Sequence, residues 1–168
     1  VADIEELSYD IYLNIQGDEP LINPGDIKDL IVSVKPWIKI HGEKIVGTLL
    51  ATLDKEEAES RDCVKAFTKK NNSQIVLFTR SVFYDYDISE VEGFRKHVGI
   101  YLFTKKSLRN ICKLKDKTKN ETIENLEQLR WMDAGIKLIG SFIHNKPISV
   151  DTPEDLKKVV EYVNRQAN

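Results

Sequence analysis

The sequence lacks any apolar run approaching the roughly 18–20 residues that a membrane-spanning helix needs. It has only two cysteines, Cys63 and Cys112, and their spacing fits neither a CxxC motif nor a disulfide framework. The pattern of a signal peptide, a basic stretch followed by an apolar core, is also missing. We therefore expect a cytoplasmic protein in a reducing compartment, with no membrane partner.

An excess of charge of either sign is also missing. The 25 Lys and Arg residues nearly balance 27 Asp and Glu residues, which gives a formal net charge of −2. A dedicated DNA-binding surface would show a basic excess, so we expect no nucleic-acid partner. The alternating lysines from Lys113 to Lys119 are interpreted as a solvated connection between helices.

Several common catalytic and phosphate-binding motifs do not occur. The sequence contains no GxGxxG, no Walker A pattern, no GxSxG and no HExxH. Their absence argues against the common dinucleotide-binding, P-loop, serine-hydrolase and zinc-protease classes.

The pattern of apolar residues predicts one α/β domain over residues 1–168. Strands are predicted at 11–15, 44–53, 63–67, 75–78, 97–103 and 136–143. Helices are predicted to begin at Pro24 and at Pro153 and to cover 107–113 and 120–133. Pro36 is expected to end or disturb the first of them. The last helix is expected to bury Leu156, Val159, Val160 and Val163. Because strands alternate with helices around one hairpin at 70–73, we predict a sandwich with a mostly parallel sheet.

Polar turns follow two of the predicted strands. Gln16 to Pro20 comes directly after the first strand, and Gly17 there allows a sharp turn close to a ligand. Asp18 lies in this turn, and Asp151 precedes the last helix in the same way. Ligands of open α/β sheets bind beyond the carboxyl ends of strands, so the two aspartates are candidates to share one Mg²⁺. The alternatives are an acidic surface turn for Asp18 and a helix cap for Asp151.

Two further segments carry clusters of polar groups. His97, Gly99 and Tyr101 share one face of a predicted strand, which is polar and open enough to hold a sugar. A structural histidine is the alternative there. In the predicted helix 120–133, Glu121, Glu124 and Gln128 fall on one face, for which a solvated surface with ion pairs is the alternative.

Five motifs occur in an order that is characteristic of one family. They are NIQGDEPL at 14–21, FTRS at 78–81, KHVGIY at 96–101, LEQLR at 126–130 and VDTPEDL at 150–156. This series resembles the 3-deoxy-D-manno-octulosonate cytidylyltransferase family, also called CMP-KDO synthetase. The resemblance runs from about Ile11 to the C-terminus. It implies a three-layer Rossmann-like nucleotidyltransferase sandwich with a hairpin insertion, of which this chain is the C-terminal part.

The resemblance also implies an activity and a set of site residues. The family transfers CMP from CTP to the sugar acid KDO, giving CMP-KDO and pyrophosphate for lipopolysaccharide biosynthesis, with Mg²⁺ and as a homodimer. Asp18 and Asp151 would be the catalytic metal ligands, and Gln16 and Gly17 would be cofactor-binding residues beside them. The residues that would bind the sugar acid are Arg80, His97, Tyr101, Glu127 and Gln128.

The sequence departs from the family pattern in two places. Thr79 replaces the usual serine before Arg80, and no proline follows within 81–86. A related sugar acid, such as an amino variant of KDO, is therefore an alternative substrate. The family's basic opening loop, which ends in Pro-Gly-Lys-Pro and holds the CTP phosphates, has no counterpart here. We accordingly expect either residues upstream of Val1 or a chain that does not turn over CTP, and a non-catalytic sugar-binding or interaction domain is the alternative function.

Overall fold

The computed structural model describes residues 9–70, 72–82, 87–150 and 152–166. Within them, the strands are β1 (Ile11–Asn14), β2 (Ile45–Ala51), β3 (Lys65–Thr68), β4 (Gln74–Thr79), β5 (Phe94–Thr104) and β6 (Lys137–Phe142). The helices are α1 (Pro24–His41), α2 (Lys55–Ala58), α3 (Lys105–Cys112), α4 (Lys119–Glu124), α5 (Glu127–Asp133) and α6 (Pro153–Gln166). None of these helices is long and apolar enough to cross a bilayer.

The strands form one mixed sheet in the order β1-β5-β2-β6-β4-β3. β3 also pairs with β5, so five of the strands close into a barrel-like ring and β1 lies at an edge. The prediction of a mostly parallel sheet is wrong, because among the described pairings only β2 with β6 is parallel. β1 and β2 run in the same direction around α1, as a βαβ unit would, but the long β5 lies between them and antiparallel to both.

A bulge interrupts the ladder between β2 and β5. Thr48 faces Tyr101 and the next residue, Leu49, faces Val98, so Gly99 and Ile100 are extra residues on β5. Bulges bend a strand and re-aim its side chains, and they are frequent beside active sites. Because the bulge adds two residues, the alternation of faces along β5 is retained.

α1 begins where the sequence predicts but continues past Pro36. Asn23 caps it by accepting a hydrogen bond from the Gly25 N–H at 2.8 Å, and Pro24 occupies the first turn. The carbonyl that Pro36 leaves without its helical donor belongs to Val32, whose side chain is 64% exposed. Water can hydrogen-bond a carbonyl on this outer face, so the proline is tolerated until the helix ends before Gly42, at φ 55°.

Helices cover both faces of the sheet. On one face, Leu30 and Val34 of α1 pack on β2, β5 and β6. Gly47 makes this contact possible, because a Cβ there would lie 2.6 Å from the Val34 side chain. On the other face, Leu129 and Trp131 of α5 pack against the sheet. Each face thus has its own apolar core, as the α/β prediction requires.

The single helix predicted over 120–133 is in fact two helices, α4 and α5. Asn125 adopts the left-handed conformation, at φ 53° and ψ 48°, and Leu126 is extended. Asparagine tolerates this conformation better than other residues with a side chain, so α4 ends there. The break removes the common helical face that was predicted for Glu121, Glu124 and Gln128.

α6 does not bury the face that its pattern predicts. Only Val159 is buried, whereas Leu156, Val160 and Val163 are about half exposed. The spacing of these residues is correctly amphipathic, but within the described residues α6 meets the rest of the chain mainly through Val159. An apolar stripe therefore stays accessible on this helix.

Candidate active site

A cavity of about 810 Å³ opens beside the bulged strand β5. Seven of the predicted site residues line it: Gln16, Asp18, Arg80, His97, Tyr101, Glu127 and Gln128. Gly17 lies in the chain between two of these, and Asp151 lies outside the described residues. The fold therefore brings residues from four distant motifs to one cavity, as the sequence predicted.

The two predicted strand-end segments converge at this cavity. The Asp18 carbonyl accepts a hydrogen bond from the Val150 N–H at 2.8 Å. Beside it, the Ser149 hydroxyl donates to a carboxylate oxygen of Glu19 at 2.7 Å, and Glu19 is buried. The Val150–Asp18 bond thus joins the segment before α6 to the turn after β1.

The Asp18 side chain has the feature expected of a cation ligand. Its Oδ1 atom is buried and has no hydrogen-bond partner within the part of the chain described. Such an oxygen is costly unless a partner satisfies it, and a divalent cation is one such partner. No group of three or more His, Cys, Asp or Glu side chains suited to a metal occurs among the described residues. The shared Mg²⁺ site of Asp18 and Asp151 stays a prediction.

The face of β5 that carries His97, Gly99 and Tyr101 lines the cavity as predicted. At Gly99 a Cβ would lie 2.7 Å from the Gln16 side-chain oxygen, so a larger residue would push the exposed end of Gln16 aside. Gln16 therefore packs against the strand. The His97 ring lies 5.4 Å from the Tyr101 ring and meets Phe78 edge-on at 5.1 Å. These contacts hold the two polar rings in one orientation.

Burial disfavours the charged form of three ionisable groups of the cavity, and all three are neutral at pH 7. Burial, with a smaller effect of the Arg80 charge, lowers the pKa of His97 to about 3. Burial, helped by Glu127, raises the pKa of Tyr101, and burial beside Glu57 raises the pKa of Cys63 to about 11. The wall thus presents a neutral imidazole and a neutral phenol next to the Arg80 cation. This combination suits a ligand that carries both hydroxyl groups and a carboxylate.

The low pKa of His97 predicts a loss of stability in acid. Below pH 6.5 the unfolded imidazole binds a proton that the folded one does not, so protonation favours the unfolded state. We expect the free energy of unfolding to fall between pH 6.5 and about 3, by at most ~1.4 kcal/mol per pH unit from this group. Urea unfolding of the unaltered protein and of His97→Asn across this range checks it. Identical pH slopes for the two proteins would contradict the prediction.

The backbone around Arg80 is held by a carboxylate that the sequence did not single out as a ligand of this segment. Glu124 accepts hydrogen bonds from the Arg80 N–H at 2.7 Å, from the Thr79 hydroxyl at 3.0 Å and from the Ser81 hydroxyl at 3.4 Å. Glu124 was interpreted as one member of a helix face. The contact joins residues 44 positions apart, so no local spacing could have revealed it.

The opposite side of the same segment is also fixed. The buried Lys65 donates through Nζ to the Arg80 carbonyl at 3.4 Å and to the Ser60 carbonyl at 2.5 Å. The Arg80 side chain donates through Nη1 to the carbonyls of Asp62 at 2.8 Å and Arg61 at 3.2 Å. The position of the guanidinium group is thus set before any ligand binds, which lowers the entropy cost of binding.

An ion-pair network lies at the rim of the cavity. Lys146 pairs with Asp54 at 2.6 Å and also with Glu57, and Lys96 of β5 pairs with Glu57 at 3.0 Å. These pairs connect α2, β5 and the segment before α6. Sequence analysis did not identify this network, because its members come from three separate regions.

Sequence comparisons with known proteins agree with the fold and the cavity. A sequence profile described as "Cytidylyltransferase" matches residues 1–139. The chain belongs to the cytidylyltransferase family, and the resemblance predicted from its motifs is confirmed. The chain is 34% identical over 155 residues to the 3-deoxy-manno-octulosonate cytidylyltransferase of Acidobacterium capsulatum. The aligned residues cover 92% of this chain and 61% of that protein. The enzyme of the same name from Escherichia coli is 33% identical over 156 residues, which cover 93% of this chain and 61% of the relative.

A solved structure shows the same relationship in three dimensions. The structure of CMP:2-keto-3-deoxy-manno-octonic acid synthetase complexed with CTP superposes with a TM-score of 0.80 at 30% identity. The superposition covers 97% of this chain and 65% of that one. The chain thus spans about three fifths of the length of the curated relatives it matches.

Proposed function

We propose that this chain forms the sugar-acid side of the active site of a 3-deoxy-manno-octulosonate cytidylyltransferase. The reaction transfers CMP from CTP to KDO and releases pyrophosphate. The observation that carries the proposal is the cavity in which Arg80, His97, Tyr101, Glu127 and Gln128 meet beside Asp18. The names of the relatives support this choice of substrates.

Each cavity residue has a role that fits its chemistry. The planar guanidinium of Arg80 suits the carboxylate of the sugar acid. His97, Tyr101 and Gln128 are uncharged hydrogen-bonding groups within a largely buried wall, and they suit sugar hydroxyls. Glu127 is exposed and suits a hydroxyl donor at the mouth of the cavity. Together they would orient the anomeric oxygen for attack on the α-phosphorus of CTP.

The nucleotide and metal side is proposed for the turn after β1. Gln16 and Gly17 would approach the nucleotide, and Asp18 with Asp151 would hold Mg²⁺. When bound, this ion would neutralise charge on the triphosphate. The buried Oδ1 of Asp18 supports this assignment. A cytoplasmic location, expected from the cysteine content, and a homodimer, implied by the family resemblance, stay predictions.

Pyrophosphate release tests the activity, and Arg80→Lys tests the site. With CTP, KDO and Mg²⁺, we expect turnover from the protein that includes any residues upstream of Val1. Arg80→Lys should weaken KDO binding at least about tenfold in calorimetry, because an ammonium group cannot pair bidentately with a carboxylate.

Arg95→Lys is the matched control, since Arg95 lies over the Phe142 ring and does not line the cavity. It should leave KDO affinity unchanged. Equal affinity for KDO in Arg80→Lys and the unaltered protein would contradict the site. Binding of KDO without pyrophosphate release would instead support a non-catalytic sugar-binding domain.

A further inference from the structure

A buried threonine opposite the β5 bulge contacts the candidate sugar-binding histidine. Thr48 lies in β2 and its side chain is fully buried. Its Oγ1 atom lies 2.9 Å from Nε2 of His97, 2.8 Å from the Ile100 carbonyl and 3.3 Å from the Val98 carbonyl. The bulge brings both carbonyls to this one hydroxyl.

Counting protons determines the direction of these hydrogen bonds. A threonine hydroxyl has one proton to donate, and a carbonyl oxygen only accepts. The imidazole can supply a proton of its own to the contact with Oγ1, whereas neither carbonyl can, so the hydroxyl proton is directed to the nearer carbonyl, that of Ile100. The Thr48 oxygen must then accept from the imidazole, which places the His97 proton on Nε2. Nδ1 of His97 consequently carries a lone pair.

We propose that Thr48 is a positioning residue that fixes His97 in the Nε2–H tautomer, so that Nδ1 accepts a hydrogen bond from a ligand hydroxyl. His97 lines the cavity, and no hydrogen bond to its Nδ1 is found among the described residues. This inference rests on the proposed sugar-acid function of the cavity. It adds a specificity rule: the ligand group facing His97 must be a donor, such as a hydroxyl or an amine, and not an ether or a carbonyl oxygen.

Two other observations agree with this assignment. The burial that lowers the pKa of His97 keeps the ring neutral at pH 7, so one ring nitrogen is free of a proton. The ring contacts with Phe78 and Tyr101 restrict its rotation. A ring flip would place a carbon atom against Thr48, and the hydrogen bond to the threonine would be lost.

Nitrogen-15 NMR of histidine-labelled protein tests the tautomer without any substrate. The His97 signals are assigned by comparison with His41→Asn and His144→Asn, which remove the other two histidines one at a time. We expect the proton on Nε2 in the unaltered protein and in Thr48→Ser, which keeps the hydroxyl. Thr48→Val, which keeps the shape but not the hydroxyl, should shift the population toward Nδ1–H.

Binding of KDO provides the second readout. Thr48→Val should raise the KM for KDO about tenfold or more, with the KM for CTP unchanged, and Thr48→Ser should restore affinity. A proton on Nδ1 in the unaltered protein would overturn the proposal, even if Thr48→Val does not fold. A tautomer that follows Thr48 while KDO affinity stays constant would overturn the ligand role of His97. Loss of all turnover with the expected tautomers intact would count against the proposed function and leave the positioning by Thr48 supported.

Discussion

Replacing Asp18 with Asn should lower the rate of CMP transfer by about a thousandfold, or ~4 kcal/mol of transition-state stabilisation. The substitution keeps the size of the side chain but removes the negative charge that would hold the metal. Stability should not fall, because Oδ1 of Asp18 is buried without a hydrogen-bond partner among the described residues. An amide avoids the cost of burying that charge. Pyrophosphate release and urea unfolding together separate the two effects.

Glu56→Gln is the matched control for Asp18→Asn. Glu56 lines the same cavity, but it is exposed and lies on α2. It should retain turnover within about twofold of the unaltered protein, because an exposed charge contributes little through high-dielectric solvent. Normal turnover by Asp18→Asn, or an equal loss in both variants, would reject Asp18 as the metal ligand.

Truncation of Glu124, whose carboxylate holds the Arg80 segment, should produce a large loss of stability for a single exchange. Glu124→Ala leaves the Arg80 N–H and two hydroxyl groups without their acceptor. Hydrogen bonds to a charged group each contribute about 1.5–3 kcal/mol, and unsatisfied donors add a desolvation cost. Because the site is partly open to water, we expect a total loss of about 2–4 kcal/mol in urea unfolding.

Two control variants test whether the loss of stability comes from the hydrogen bonds that Glu124 accepts. Glu124→Gln keeps one acceptor oxygen and should lose about half as much stability. Glu161→Ala removes an exposed carboxylate that pairs with Arg165 at i,i+4, and it should cost no more than about 0.5 kcal/mol. If Glu124→Ala were no more destabilising than Glu161→Ala, the carboxylate would not hold the Arg80 segment.

Local patterns predicted the elements of the fold better than their arrangement. The start of α1 at Asn23-Pro24 and the hairpin between β3 and β4 were predicted, because capping and turn preferences depend on neighbouring residues. The insertion of β5 between β1 and β2 was not predicted. Apolar alternation identifies a strand but does not identify its partner, which here lies far away in the chain.

The sequence predicted residues that line the cavity but not the residues that hold them in position. Ordered motifs identified Arg80 and His97, and the structure places both on one cavity. Thr48 and Glu124, which contact them, were not identified as partners. A buried threonine in an apolar strand carries no local signal of function. The contact of Glu124 with the Arg80 segment spans 44 positions, which no local spacing reveals. Gln128 does not share the face of Glu121 and Glu124, because the left-handed Asn125 divides the predicted helix.

The closure of the sheet through β5 also constrains the order in which the chain can fold. β1 has no partner among the described strands except β5, and Ile11 faces Thr104 across that ladder. β2 and β3 also pair with β5, so three of the ladders in the sheet cannot form until this one strand is available. Pairings so distant in sequence close long loops, which slows folding. During synthesis, the apolar strands made first remain unpaired until β5 has emerged, and this interval is when the chain is most exposed to aggregation.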